Sequence, residues 1–183
     1  MLMSADRCQL LVIDIQERLL PAMAGGEAVV RNSGILLQAA ALTKVPVIVT
    51  EQYPKGLGPT VAPVAAAAAG GRTLEKLSFS AMRDQKIAKV LVDGRSNGRP
   101  QVVVCGIEAH VCVLQTAIDL KDRGFDVFVV ADAISSRAEH SHAIALSRMN
   151  AAGVVPVTSE MVVFEWVEAA GSETFKAASR LVK

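Results

Sequence analysis

Short apolar runs alternate along this chain with segments whose apolar residues recur every three or four positions. Gln9–Ile13 (QLLVI), Val45–Val49 (VPVIV), Gln101–Cys105 (QVVVC), Val127–Val130 (VFVV) and Val154–Val157 (VVPV) are nearly continuous and rich in β-branched residues. Such runs fit strands covered on both faces, as in a parallel sheet sandwiched between helices. Pro46 and Pro156 lack a donor N–H, which places each near a strand end. Arg72–Glu75 reads as a further short strand, for a sheet of about six. Helical spacing appears in Arg31–Thr43 (Ile35, Leu36, Ala39, Leu42), Met82–Leu91, Val113–Arg123 and Ala138–Ala152. Ser136 and Glu139 have capping-box spacing, Gly124 and Gly153 stand where C-terminal caps belong, and Ser172 is placed to cap a last helix running to about Leu181. The turn-rich stretch Asp93–Pro100 reads as a surface loop. Repeated strand–helix alternation with right-handed crossovers gives a three-layer α/β/α sandwich around a mainly parallel, Rossmann-like sheet.

Composition narrows the options. The 183 residues suit one domain, 1–183, with a sizeable core. The net charge of +1, with one Trp and one Tyr, offers neither a basic track nor stacking platforms, an argument against nucleic acid. No run approaches the roughly 18 apolar residues of a membrane span, and no secretory signal is visible. Three cysteines form no disulfide framework, which favours a reducing, cytoplasmic setting. Met161–Val167 (MVVFEWV) fits either core packing of a terminal helix or, through Phe164 and Trp166, an interface between copies of the chain.

The candidate chemistry gathers around Cys112. It follows Val-Val-Val-Cys-Gly-Ile-Glu-Ala-His-Val (102–111), where an apolar strand ends, and it precedes a helical pattern. A thiol at a helix N-terminus is expected to ionise readily and to be alkylated by iodoacetamide below pH 7. In open α/β sheets ligands bind beyond the carboxyl ends of strands. Asp14 falls at such an end, where it is either a cap or a partner for a cation. Lys76, in Thr-Leu-Glu-Lys-Leu-Ser-Phe-Ser-Ala (73–81), is the candidate cation; a solvated surface lysine is the alternative. His110 is two residues from Cys112 and so does not share its helix face; it is assigned to the pocket wall. His140 and His142 are two apart and are expected in solvent. Cys105 reads as a core residue, and Cys8 has no evident activator. No glycine-rich phosphate loop, dinucleotide fingerprint or metal-ligand cluster appears, so no cofactor or metal is expected.

Three segments together resemble the isochorismatase-like cysteine hydrolases: Leu-Val-Ile-Asp14-Ile-Gln16-Glu, Glu-Lys76-Leu-Ser-Phe-Ser, and Gly106-Ile-Glu-Ala-His-Val-Cys112-Val. Thr50–Gly58 and Ala131–Arg137 are similar to the subgroup of isochorismatase-domain proteins without an assigned substrate. The resemblance spans about residues 5–165. It implies a catalytic triad of Asp14, Lys76 and Cys112, a cis peptide between Ile107 and Glu108, and an oxyanion hole from the amides of Glu108 and Cys112. The Glu108 side chain would then turn away from substrate into a hydrogen-bond network. Gln16, Gln52, Tyr53, Phe79, Ile107 and His110 are the candidates for substrate contact, with Tyr53 and Phe79 equally open to a core role. Glu51-Gln52-Tyr53 stands where nicotinamidases of the family carry metal ligands, so the resemblance implies neither zinc nor nicotinamide.

The implied activity is hydrolysis of a small amide, carbamoyl or related carbonyl compound through a thioester on Cys112, that is, of a C–N bond other than a peptide bond. The alternatives are an isochorismatase-type enol-ether hydrolase with Asp14 as acid, or a non-catalytic interaction protein with a vestigial site. A homo-oligomer, dimer or higher, is expected.

Overall fold

The computed structural model describes residues 1–183. Six strands pair in parallel: β1 (Cys8–Ile13), β2 (Val47–Gln52), β3 (Arg72–Lys76), β4 (Gln101–Ile107), β5 (Asp126–Ser135) and β6 (Val155–Val157). Their order is β3-β2-β1-β4-β5-β6, with β1 and β4 at the centre. Both are buried along their whole length, and their side chains divide between two cores. Leu10, Val12, Val103, Cys105 and Ile107 face one layer; Leu11, Ile13, Val102 and Val104 face the other. This two-sided burial is why the strands read as continuous apolar runs rather than alternating ones. Pro156 is accommodated because β6 is an edge strand.

The helices are α1 (Gly26–Thr43), α2 (Pro54–Leu57), α3 (Ala62–Ala67), α4 (Gln85–Ser96), α5 (Leu114–Asp122), α6 (Glu139–Ala151), α7 (Ser159–Val167) and α8 (Glu173–Leu181). A π-helical turn, Ala109–Val113, leads directly into α5. None is long and apolar enough to cross a membrane. The layer against Leu10 and Val12 draws on α1, α7 and α8, through residues such as Leu36, Val162 and Ala178. The opposite layer draws on α4, α5 and α6, through Leu91, Ala117 and Met149.

Several expectations about the helices needed correction. The helix expected at Arg31 begins at Gly26, after Gly25 in a left-handed conformation (φ 68°). Asp93–Pro100 is not wholly a loop, because α4 runs through Ser96. Gly94 lies inside that helix for a packing reason. A Cβ there would collide with the side-chain amide of Gln9, whose Nε2 donates to Leu91 O at 3.2 Å and Arg99 O at 2.8 Å. A glycine that resembled a turn signal is a close approach between helix and sheet. The capping box at Ser136 does not form. Ala138 is the N-cap of α6 and no side chain caps it, because the Ser136 hydroxyl bonds His110 instead. Ser172 caps α8 as expected, its Oγ accepting from Phe175 N at 3.0 Å. Gly124 and Gly153 adopt the positive φ of C-terminal caps. Met161–Val167 belongs to α7; Trp166 is buried in the core, while Met161 and Phe164 remain exposed.

Candidate active site

The carboxyl ends of β3, β2, β1 and β4 place a row of polar residues across the sheet. Asp14 directly follows β1 with φ 51°, and its amide donates to Thr50 O at 3.1 Å. Its side chain is fully buried and fully engaged. Thr50 Oγ1 donates to Oδ1 at 2.7 Å, and Lys76 Nζ donates to Oδ2 at 2.7 Å. Both members of the Asp14–Lys76 pair have 0% side-chain exposure. Lys76 comes from β3, two strands from β1, so a long side chain is needed to reach across β2. Its ammonium has three donors, and each has an acceptor: Asp14, Gln52 Oε1 at 2.8 Å and Phe79 O at 3.1 Å. Two charges removed from water are tolerable only when paired and hydrogen-bonded in this way. The readings of Asp14 as a simple cap and Lys76 as a solvated lysine are therefore both set aside.

Gly106 lets β4 close on β1 at this end. It has φ 119°, and a Cβ would overlap the backbone carbonyl of Ile13. The chain then passes through a cis peptide between Ile107 and Glu108, as the resemblance implied. Cys112 sits in the π-helical turn, 4% exposed, where the charges of Asp14, Lys76 and Glu108 act on its thiol.

The thiol is not the readily ionised group expected of a helix start. Its pKa is pushed up from 9.0 to about 12, first by burial and then by the negative charge of Asp14; Lys76 opposes the shift, while the Asp14 hydrogen bond and the Glu108 charge add to it. The dipole argument does not carry over because Cys112 lies four residues inside the helical turn that starts after Glu108. Two amides of that turn, Val111 and Val113, already donate to Glu108 O at 3.0 and 3.2 Å. Alkylation below pH 7 is no longer expected of the resting protein.

The residues expected to touch substrate separate into two groups. Gln16 is fully buried and works as a brace. Its Oε1 accepts from Gln52 N at 2.7 Å, and its Nε2 donates to Gln52 O at 3.0 Å and Gly58 O at 2.7 Å. Gln52 Nε2 donates to Leu77 O at 2.7 Å, so its amide positions Lys76 and the segment beyond it. Each glutamine thus braces the backbone around Lys76. Tyr53 and Phe79, by contrast, are about half exposed, at 51% and 55%. This decides against the core role. Tyr53 has φ 39°, and its ring lies against Gly56, where a Cβ would strike it. A cleft of about 590 Å³ opens here, lined by Tyr53, Lys76, Leu77, Arg83 and Lys86 among others. Cys112 is not in its wall. A larger cleft of about 750 Å³ lies between the N-terminal segment and α7, against Leu2, Met161 and Phe164, and contains none of these residues. Cavity size alone would therefore have pointed away from the buried charges.

His110 Nδ1 lies 2.9 Å from Ser136 Oγ. Ile107 is fully buried. His140 is exposed, but His142 is half-buried and its Nε2 has no partner, contrary to the expectation that both would be solvated. Glu108 is buried and faces Arg137, whose Nε stands 2.8 Å from Oε1. Thr50 and Arg137 were given no role from the sequence. Thr50 could have been found as the one hydroxyl beside Asp14 at a neighbouring strand end.

A family model described as the isochorismatase domain matches residues 8–161. Isochorismatase domain-containing protein 2 of Danio rerio is 42% identical over 174 residues, covering 94% of this chain and 85% of the relative. Among solved structures, the MAR1 ribonuclease of Caenorhabditis elegans superposes with a TM-score of 0.92 at 35% identity, covering 100% of this chain and 92% of that one. The YcaC gene product of Escherichia coli, described as an octameric hydrolase of unknown specificity, gives a TM-score of 0.85 at 25% identity over 92% of this chain and 83% of its own.

Proposed function

The chain belongs to the isochorismatase-domain family, and from that premise we propose that it is a cysteine-dependent hydrolase of a small amide, carbamoyl or related carbonyl compound. The observation that carries the reading is the buried Asp14 carboxylate, held by Lys76 and Thr50 at the strand end and acting through its charge on the Cys112 thiol. A carboxylate so placed has one evident proton to take, that of the thiol. The raised thiol pKa fits a proton that stays on sulfur until substrate arrives and then moves to Asp14 as the C–S bond forms.

In this reading the thiolate attacks the carbonyl carbon and the π electrons move to oxygen. The amides of Glu108 and Cys112 receive the oxyanion, each such donor being worth about 3 kcal/mol. Collapse re-forms the carbonyl and breaks the C–N bond, with Asp14 returning its proton to the leaving nitrogen. Water, deprotonated by Asp14, then attacks the thioester and restores the thiol. Lys76 keeps Asp14 oriented and offsets the charge shared by carboxylate and sulfur. Tyr53, Phe79 and His110 remain the proposed substrate contacts.

The test is turnover of a panel of small amides, carbamoyl compounds and esters by wild type and Cys112→Ala, with mass spectrometry for an acyl adduct on Cys112. An adduct together with loss of turnover in the variant supports the reading. Full turnover by Cys112→Ala combined with loss in Asp14→Asn moves the assignment to acid catalysis on an enol ether. Because the C. elegans relative is named a ribonuclease, RNA joins the panel. The octamer described for the E. coli relative supports proposing assembly of several copies here, to be read by light scattering. The three unpaired thiols fit a reducing compartment.

A further inference from the structure

Glu108 is a buried acid in an awkward place. It follows β4 immediately, four residues before Cys112, with its side chain 8% exposed. Arg137 Nε lies 2.8 Å from its Oε1, yet the N–H is not directed at that oxygen, which has no hydrogen bond. Nη2 donates to Oε2 at 3.3 Å. The contact is thus mainly ionic. Arg137 reaches in from the segment between β5 and α6 with its own side chain 65% exposed.

We propose that Arg137 is a positioning residue that acts through Glu108, neutralising a carboxylate beside the nucleophile so that Cys112 can lose its proton. The charged groups acting on the thiol are Asp14 from the end of β1, Lys76 from β3, and Glu108 from its own turn. Lys76 is committed to Asp14, Gln52 and Phe79 O, which leaves its charge offsetting Asp14 rather than Glu108. His110, on the same turn, is occupied with Ser136. Arg137 is the one cation that pairs with Glu108. An unbalanced Glu108 would oppose thiolate formation, because like charges in a poorly solvated site repel strongly. The inference rests on Cys112 being the nucleophile.

The test is the rate of iodoacetamide labelling of Cys112, followed by peptide mass spectrometry against pH, in wild type, R137Q, R137K, E108Q and the double variant E108Q/R137Q. Thiolate absorbance in the ultraviolet, taken as wild type minus Cys112→Ala, gives a second readout if reagent access limits labelling. At one pH well below the thiol pKa of about 12, R137Q is expected to be slower by about three- to tenfold, a shift of roughly half to one pH unit. R137K, which keeps the charge, should restore the rate to within about twofold. E108Q should be faster than wild type, and adding R137Q to it should change nothing further. R137Q leaves the buried Glu108 carboxylate without its cation and should lower the melting temperature, which E108Q/R137Q should recover, so labelling is read well below both midpoints. Superimposable profiles for R137Q and wild type overturn the proposal. An equal slowing by R137Q in the E108Q background also overturns it, since the guanidinium would then act on sulfur directly. Labelling requires no turnover, so loss of the hydrolase reading through an active Cys112→Ala is a separate result from either of these.

Discussion

Cys105 and Cys112 are seven residues apart, both buried and both raised in pKa to about 12, yet their surroundings differ in kind. Cys105 lies within β4, opposite Val12, in a core of aliphatic side chains. Burial is the largest influence on its shift, and the negative charge of Asp132 adds to it. Cys112 stands beyond the end of the same strand, where burial is joined by Asp14, Lys76 and Glu108. Burial silences both thiols at rest. Asp14, whose charge acts on Cys112, is itself fixed in place by Lys76 and Thr50. The comparison separates a low pKa from reactivity: in the proposed mechanism, what distinguishes the second cysteine is a proton acceptor.

The largest effect should come from removing that acceptor. Asp14→Asn leaves the Lys76 ammonium buried without its anion, and breaking one side of a buried pair costs about 3–5 kcal/mol. Denaturant melts should show this loss, and turnover should fall by about a hundredfold or more. Combining Asp14→Asn with Lys76→Met removes both charges; it should recover much of the stability and none of the activity. Recovery of activity in the double variant would remove the proton-acceptor role from Asp14. Cys105→Ala sharpens the contrast. It should keep turnover within about twofold of wild type while costing about 1 kcal/mol through the small cavity it leaves.

Alkaline pH offers a subtler probe. Cys8, at about 11, and Cys105 and Cys112, at about 12, all titrate above the ordinary 9.0. Above pH 9.0 the unfolded chain releases these protons while the folded chain keeps them. The folded form then binds more protons, so stability is full below pH 9.0 and declines progressively towards pH 12. Each thiol contributes at most about 1.4 kcal/mol per pH unit within that window. Urea midpoints measured across the range should fall with pH, and Cys105→Ala should make the fall shallower by roughly one thiol's share. An unchanged slope would mean that Cys105 already ionises in the fold.

How far the sequence led is clearest in particular residues. The strands were visible because two-sided burial demands unbroken apolar runs; their order, with β1 and β4 central, was not. Asp14 and Cys112 were visible as polar groups at the ends of such runs. The bracing bonds of Gln16 and Gln52 were not legible, because a glutamine beside a strand end looks the same whether its amide meets a ligand or a backbone. Only the register between β2 and β3 and the approach of Gly58 decide that. Gly94 was misread for a similar reason, since closeness to Gln9 is a fact about packing across 85 positions. The ionisation of Cys112 was misjudged because local helix position was weighed and desolvation was not, and desolvation is the larger influence. Arg137 carries no local signal at all: its partner lies 29 residues away and is fixed by the turn after β4.

The smallest effect concerns the order in which the thiols react. Cys8 and Cys105 have 0% exposure and Cys112 has 4%, a slight difference in access. Under native conditions at moderately alkaline pH, iodoacetamide should label Cys112 first, with Cys105 reacting only as the chain opens. The two routes respond differently to stabiliser. An osmolyte that favours the folded state by preferential exclusion should slow labelling of Cys105 and leave Cys112 nearly unchanged, because a reaction through global opening follows the unfolded population whereas one through the site does not. Equal slowing at both positions would show that Cys112 also reacts only after unfolding. The distinction between a site thiol and a core thiol would then depend on a bound substrate to open it.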